Sequence, residues 1–519
     1  MRLAGQPWPT RGDHTCPGVP ARLLPFAVRV SLRRALASLV IAALGALQTS
    51  ACKDRPAPPD QPVPKPSALP ASEPVPQCAE VSPGSTYLVG EPGAGAAGSD
   101  DDAVALPFAV ELGGAVGTPR GYAVSGLRER GEGTGAFIVL IGADGRGGRT
   151  VDLGPVHGDV DPPELVSAAG ELFTLVPEGD AGGRTLRLGR VRDSGKQADV
   201  TWGAQLPQRR GESQAAGLAV TESRGLVVWD EWVDAAGRGV VRAASFPLQD
   251  ISQAESPRVL SPEKSDVEAP QLVGGAHGYW IAWISHTAYE LPDAGVVPAD
   301  RGKGRRMESE PVGSAEPSRP VVDLGQRWLE VGRLDASGKL LNPPIVVTPR
   351  ESHVLVFQLS LAPNGTAWLA WRDDHTSPGV ERGRVTLARI GPDGSIERTV
   401  IEDQRVGAGT PTLLVDAEPP RGGVPAWLAL GAVDGETELA VLDRNAKVGA
   451  PPQPAAGIGR AEPLALHAGR ILLARPRGKA AELSVVECRM KRVALSASPA
   501  RPAPPPEATE ADATQEEPE

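Results

Sequence analysis

The sequence predicts an all-β fold, a β-propeller of about seven blades closed by an N-terminal strand. Three observations predict it. A two-part phrase recurs at the spacing of propeller blades. Its apolar runs are short, rich in Val, Ile, Leu and Trp, and lack a long helical period. Gly and Pro, 61 and 53 of 519 residues, supply the many turns such a fold requires.

The first part of the phrase is a glycine followed by an apolar run. It reads "GYAVSGL" at Gly121, "GELFTLV" at Gly170, "GLVVWDEW" at Gly225 and "GYWIAWI" at Gly278. It continues as "GTAWLAW" at Gly365, "GVPAWLAL" at Gly423 and "GRILLAR" at Gly469. The second part is an alternating strand ending in a polar turn, as in "AFIVLIGADG", "LRLGRVRDSG", "WLEVGRLDASG" and "VTLARIGPDG". These Asp-Gly and Asp-x-Gly endings supply the positive-φ residues of hairpin turns. Seven starts imply about seven blades.

The run "WIAWI" within 280–287 ("WIAWISHT") is apolar on both faces, so it reads as an inner strand sandwiched between neighbouring blades. The starts lie 46 to 58 residues apart except for 87 between Gly278 and Gly365. A polar, Pro/Gly-rich insertion at 290–325 accounts for the excess as a loop leaving the fourth blade. An alternative fold, two stacked β-sandwich domains split near that insertion, fits the uniform period less well.

The N-terminus reads as an export signal. Arg33 and Arg34 precede an apolar run from Ala35 to Leu47, the length of a signal-peptide core and too short to span a bilayer comfortably. Some 30 residues precede it that fit neither signal nor fold, which places the expected translation start near Val30. The stretch "ALQTSAC" (46–52) resembles a bacterial lipobox, which implies that Cys52 receives a lipid. Thr49 departs from the leucine usual at that place, so plain secretion and an uncleaved anchor stay open as alternatives. The chain thus divides into a presequence and signal (1–51), a Pro-rich tether (52–76), a folded region (77–495) and an acidic tail (496–519) that cannot bury enough apolar surface to fold.

Of four cysteines, Cys16 falls in the presequence and Cys52 in the lipobox. Cys78 and Cys488 remain, one at each end of the folded region. In an oxidising compartment they are a candidate disulfide, and a propeller ring would bring them together; two unpaired thiols are the alternative.

The repeat as a whole resembles the degenerate propeller-like repeats of secreted bacterial lipoproteins, over about four-fifths of the chain, without a WD signature or complete Asp-box. The resemblance implies a membrane-anchored envelope protein. The expected role is non-enzymatic: a scaffold whose loops bind a protein or glycan partner. The alternative is a polysaccharide hydrolase or lyase acting from the propeller channel.

Charge narrows the partners. The chain carries −11 overall and about −16 beyond residue 51, with no basic block able to neutralise a phosphate backbone, so nucleic acid is not expected. No cofactor or metal is expected either: nucleotide-loop, nucleophile-elbow and zinc-ligand motifs are missing. "WIAWISHT" matches "WLAWRDDHT" (368–376), aligning Trp280 with Trp368, Trp283 with Trp371 and His286 with His375. A residue recurring at one repeat position is more often structural than catalytic. The tryptophans therefore read as inter-blade packing, and His286 and His375 remain only as possible ligand contacts. "HGDVDPPE" gathers His157, Asp159, Asp161 and Glu164, side chains that could hold a cation, but Pro162-Pro163 reads as an inter-blade turn. The acids of "SDDDAV" (99–104) read as a solvated loop.

Overall fold

In the computed structural model, residues 72–89 and 110–494 are described, with breaks at 131–132, 159, 181–182, 196, 210–214, 234–237, 288–325, 374–383, 402–409, 418, 421–423, 432–434 and 479. Every regular element among them is a β-strand. The strands form seven antiparallel sheets, six of them meanders of consecutive strands and the seventh completed by the N-terminal strands. Innermost strands contact one another in cyclic order, the last (Glu462–His467) meeting the first (Val110–Thr118). That cycle is a seven-bladed propeller.

Blades 1 to 6 begin with the innermost strands Val110–Thr118, Glu164–Ala168, Ala216–Val220, Asp266–Gly275, Val354–Leu361 and Thr412–Val415; the seventh begins with Glu462–His467. Each glycine-led phrase is the second strand. Gly278–His286 and Ala367–Asp373, the two tryptophan copies, are thus one place further from the axis than a channel-lining strand. Burial on both faces, which the sequence read correctly, does not distinguish the first position from the second. Alternate side chains of Gly278–His286 face opposite ways. Tyr279, Ile281 and Trp283 join the core with blade 3, and Trp280, Ala282 and Ile284 join that with blade 5. Burying such a side chain contributes roughly 1.5–3 kcal/mol. Two tyrosines at equivalent places tie blades backwards: Tyr122 donates to the Arg470 carbonyl at 2.8 Å and Tyr279 to the Arg224 carbonyl at 2.9 Å.

The turns follow the sequence chemistry. Between first and second strands, Ala169-Gly170 and Ala468-Gly469 both have positive φ (50° and 78°, 50° and 76°), the two-residue hairpin geometry whose second place glycine fills without strain. Between third and fourth strands, the carboxylates of Asp193, Asp335 and Asp443 accept backbone N–H bonds from Gly195, Ser337 and Asn445.

Closure joins both ends of the folded region. Ser72–Glu80 pairs antiparallel along the outer edge of Ala480–Ala494, and Tyr87–Val89 continues on the same edge. The N-terminal segment is therefore the outer strand of blade 7, laid down in two pieces. It begins at Ser72, so the last residues of the stretch read as tether (72–76) belong to the sheet. Cys78 stands directly opposite Cys488, and the two form a disulfide across 410 residues.

Candidate functional site

Seven innermost strands surround an axial channel with a cavity of about 600 Å³. Blades narrow towards the axis, which is why these strands carry many small residues. A side chain at Gly217 would press on Val228 and Leu272, and one at Gly274 would strike the Val220 carbonyl. Bulges in the first strands of blades 1, 4, 5 and 7 bend them as the ring curves.

Innermost strands have one edge without a sheet partner, and two glutamines fill that edge. Gln271 Nε2 donates to the Phe357 carbonyl at 2.7 Å while its Oε1 accepts from Leu359 N at 2.8 Å. One amide thus pairs with the next blade's backbone as a strand would. Gln358, at the matching place one blade on, accepts from Leu413 N. These glutamines were not singled out in the sequence, yet each precedes a leucine and they lie 87 apart, the same interval as Gly278 to Gly365. Both amide atoms of Gln271, and the oxygen of Gln358, are thus engaged in joining blades.

Glu164 is different. It opens the first strand of blade 2 and faces the channel, with its side chain reaching solvent there. The protein wrapped around it displaces bulk water, and the Asp161 carboxylate nearby adds repulsion; together they push its pKa up to about 7. Burial also raises Glu462, at the start of blade 7's first strand on the same face. Because Glu164 binds its proton more tightly folded than unfolded, ionisation works against the fold. Its contribution to stability declines as pH rises from about 4.5 to about 7. Because the side chain still reaches water, the effect is small: Glu164→Gln is expected to raise the melting temperature slightly at pH about 8 and leave it unchanged at pH about 4, as thermal scans at both values will read.

The face holding Glu164 also receives the loops from second to third strands and from each blade to the next. Beneath it lies a buried polar belt: Glu231 paired with Arg242, Glu268 with Arg327, and Trp283 and Trp328 donating to Glu330 at 3.3 and 3.0 Å. His286 belongs to this belt. Its Nδ1 lies 3.3 Å from Asp266 Oδ2, and its side chain is only 19% exposed, so its near contact is a carboxylate of its own blade. His375, Asp159, the acids at 100–102, Cys52 and the insertion at 290–325 lie outside the described residues. Of the "HGDVDPPE" group, His157, Asp161 and Glu164 are described, and Glu164 is the one that lines the channel. No cluster of metal-ligating side chains occurs among the described residues.

Neither a protein-family model nor a curated protein sequence matches the chain. Solved structures do. Hydrazine synthase of Kuenenia stuttgartiensis is similar over 77% of this chain and 99% of its own, at 12% identity and TM-score 0.41. The β-propeller domain of the Trilobed protease from Pyrococcus furiosus is similar over 74% and 96%, at 12% identity and TM-score 0.39. Polysaccharide lyase Uly1 is similar over 70% and 88%, at 8% identity and TM-score 0.42. Likeness at this level extends to the propeller fold and carries no inference about chemistry.

Proposed function

We propose that this chain is an exported, lipid-anchored propeller scaffold of the bacterial envelope that binds a protein or glycan through the face bearing Glu164. The observation that carries the reading is the channel lining. Its described side chains are mostly apolar, Gln271 and Gln358 bond to the next blade's backbone, His467 stands at the opposite end, and Glu164 is the one carboxylate among them. Glycosidic hydrolysis uses a pair of carboxylates held a fixed distance apart. Asp161 and Glu462 lie outside that lining, so Glu164 faces the channel without a second described carboxylate across it, which suits recognition better than that chemistry. Thr287 and Gln326, the described ends of the long connection between the second and third strands of blade 4, lie on this face. Raised carboxylates on the rim and the overall negative charge favour a neutral or basic partner.

Export is supported by the signal-like segment ahead of Cys52 and by the Cys78–Cys488 bond, which needs an oxidising compartment to persist. Cys52→Ala should move the protein from the membrane to the soluble fraction and abolish incorporation of labelled fatty acid. Retention in the membrane with no label would instead mark an uncleaved anchor. The binding role is tested by photo-crosslinking in intact cells from Thr287 and, as a control, from Asp393 on the opposite face. One recurrent partner captured from Thr287 and not from Asp393 is expected. Equal capture from both faces, or cleavage of an envelope polysaccharide that Glu164→Gln abolishes, would overturn the reading.

A further inference from the structure

Glu164 lines the axial cavity and forms no hydrogen bond or ion pair with any described residue. Other enclosed carboxylates on this side of the ring are served by partners. Glu231 has Arg242, Glu268 has Arg327, and Glu330 takes two indole N–H groups. Among the described residues, the charge that acts on Glu164 is Asp161, which repels it, and its proton is held to about pH 7. A cation brought beside this carboxylate would hold it ionised.

The cavity selects the kind of cation. Its volume of about 600 Å³ is within the range of small-molecule sites. The seven innermost strands that wall it are described throughout, and Glu164–Ala168 runs about 13 Å along it at roughly 3.3 Å per residue. Leu165, Leu272, Leu359, Leu414 and Leu464 give it apolar sides. A bare metal ion would find one carboxylate there, too few oxygens for a hard cation. An ammonium on an unbranched apolar stem matches both parts of the lining. Its stem suits the leucines, and its three donors can be shared between the carboxylate and backbone carbonyls on the strands' free edges. His467, the other titratable side chain of the lining, stands at the opposite end, so the two ends differ in what they attract.

We propose that the partner is a protein that enters this channel with a lysine side chain, its ammonium pairing with Glu164 and its stem lying among the leucines. This rests on the reading that the Glu164 face binds a partner, and it assigns the contact made there.

The test is calorimetric titration of the full chain with n-hexylammonium, a stand-in for that side chain, at pH about 8 and low salt. Saturable binding of one equivalent is expected. Hexanol should bind roughly tenfold or more weakly, and Glu164→Gln should weaken hexylammonium by a similar factor. Glu462→Gln, on the same face but outside the lining, should change it less than about twofold. No binding at millimolar hexylammonium would overturn the proposal, as would equal losses in the two variants. Photo-crosslinking from Thr287 separates this from the broader reading. A partner captured undiminished by the Glu164→Gln chain would leave the face as the binding surface and refute the lysine contact.

Discussion

Replacing Cys78 and Cys488 together with alanine is expected to cost the folded ring several kcal/mol. The bond closes 410 residues, for which the chain-entropy relation gives about 6 kcal/mol, while losses measured on removing native disulfides run nearer 2–5. Its position sharpens the effect. Cys78 lies in Ser72–Glu80, the strand that completes blade 7, and Cys488 is 6% exposed in the core shared with blade 6. Without the bond, the nine pairings of Ser72–Glu80, the three of Tyr87–Val89 and backbone bonds such as Cys78 N to the Ala456 carbonyl must hold the N-terminal strand in place. Denaturant titration of the double variant should show a lower midpoint, with early loss of protection in 72–89 and 480–494 by hydrogen exchange. An unchanged midpoint would mean that the ring does not depend on this staple.

Trp283→Ala is the second large effect. Trp283 is fully buried between blades 3 and 4, packed in the core that holds Leu226, Val228 and Val267, and its indole donates to Glu330 at 3.3 Å. Truncation removes that surface, leaves a void in a ring whose blades are held by their neighbours, and frees one contact of a carboxylate. The expected loss is about 3–5 kcal/mol. Leu341→Ala makes the matched control: Leu341 is 47% exposed, and its truncation should stay within about 0.5 kcal/mol. Similar losses for the two would contradict the packing described for the second strands.

The parts of the ring visible in the sequence are those with a strong local pattern. Second strands are buried on both faces, so Gly121, Gly170, Gly278, Gly365 and Gly469 each announce a continuous apolar run. Third strands end at Asp turns and were equally plain. First strands are not: "VELGGAVGT" and "EPLALH" mix small residues, proline and bulges because the wedge tapers there. Fourth strands such as Arg258–Val259 and Gln453–Pro454 are too short for any period.

The sites follow the same division. Cys78 and Cys488 could be paired by counting, since the fold brings the chain ends together. Glu164 stood out only as part of an acidic turn, because its role depends on the channel that six other blades complete.

Peptide mapping of the protein purified from cells with its thiols blocked at lysis tests the closed ring most directly. The structure predicts one linked pair of peptides under non-reducing conditions, containing Cys78 and Cys488, which reduction separates. Blocked, free thiols at both cysteines would contradict it.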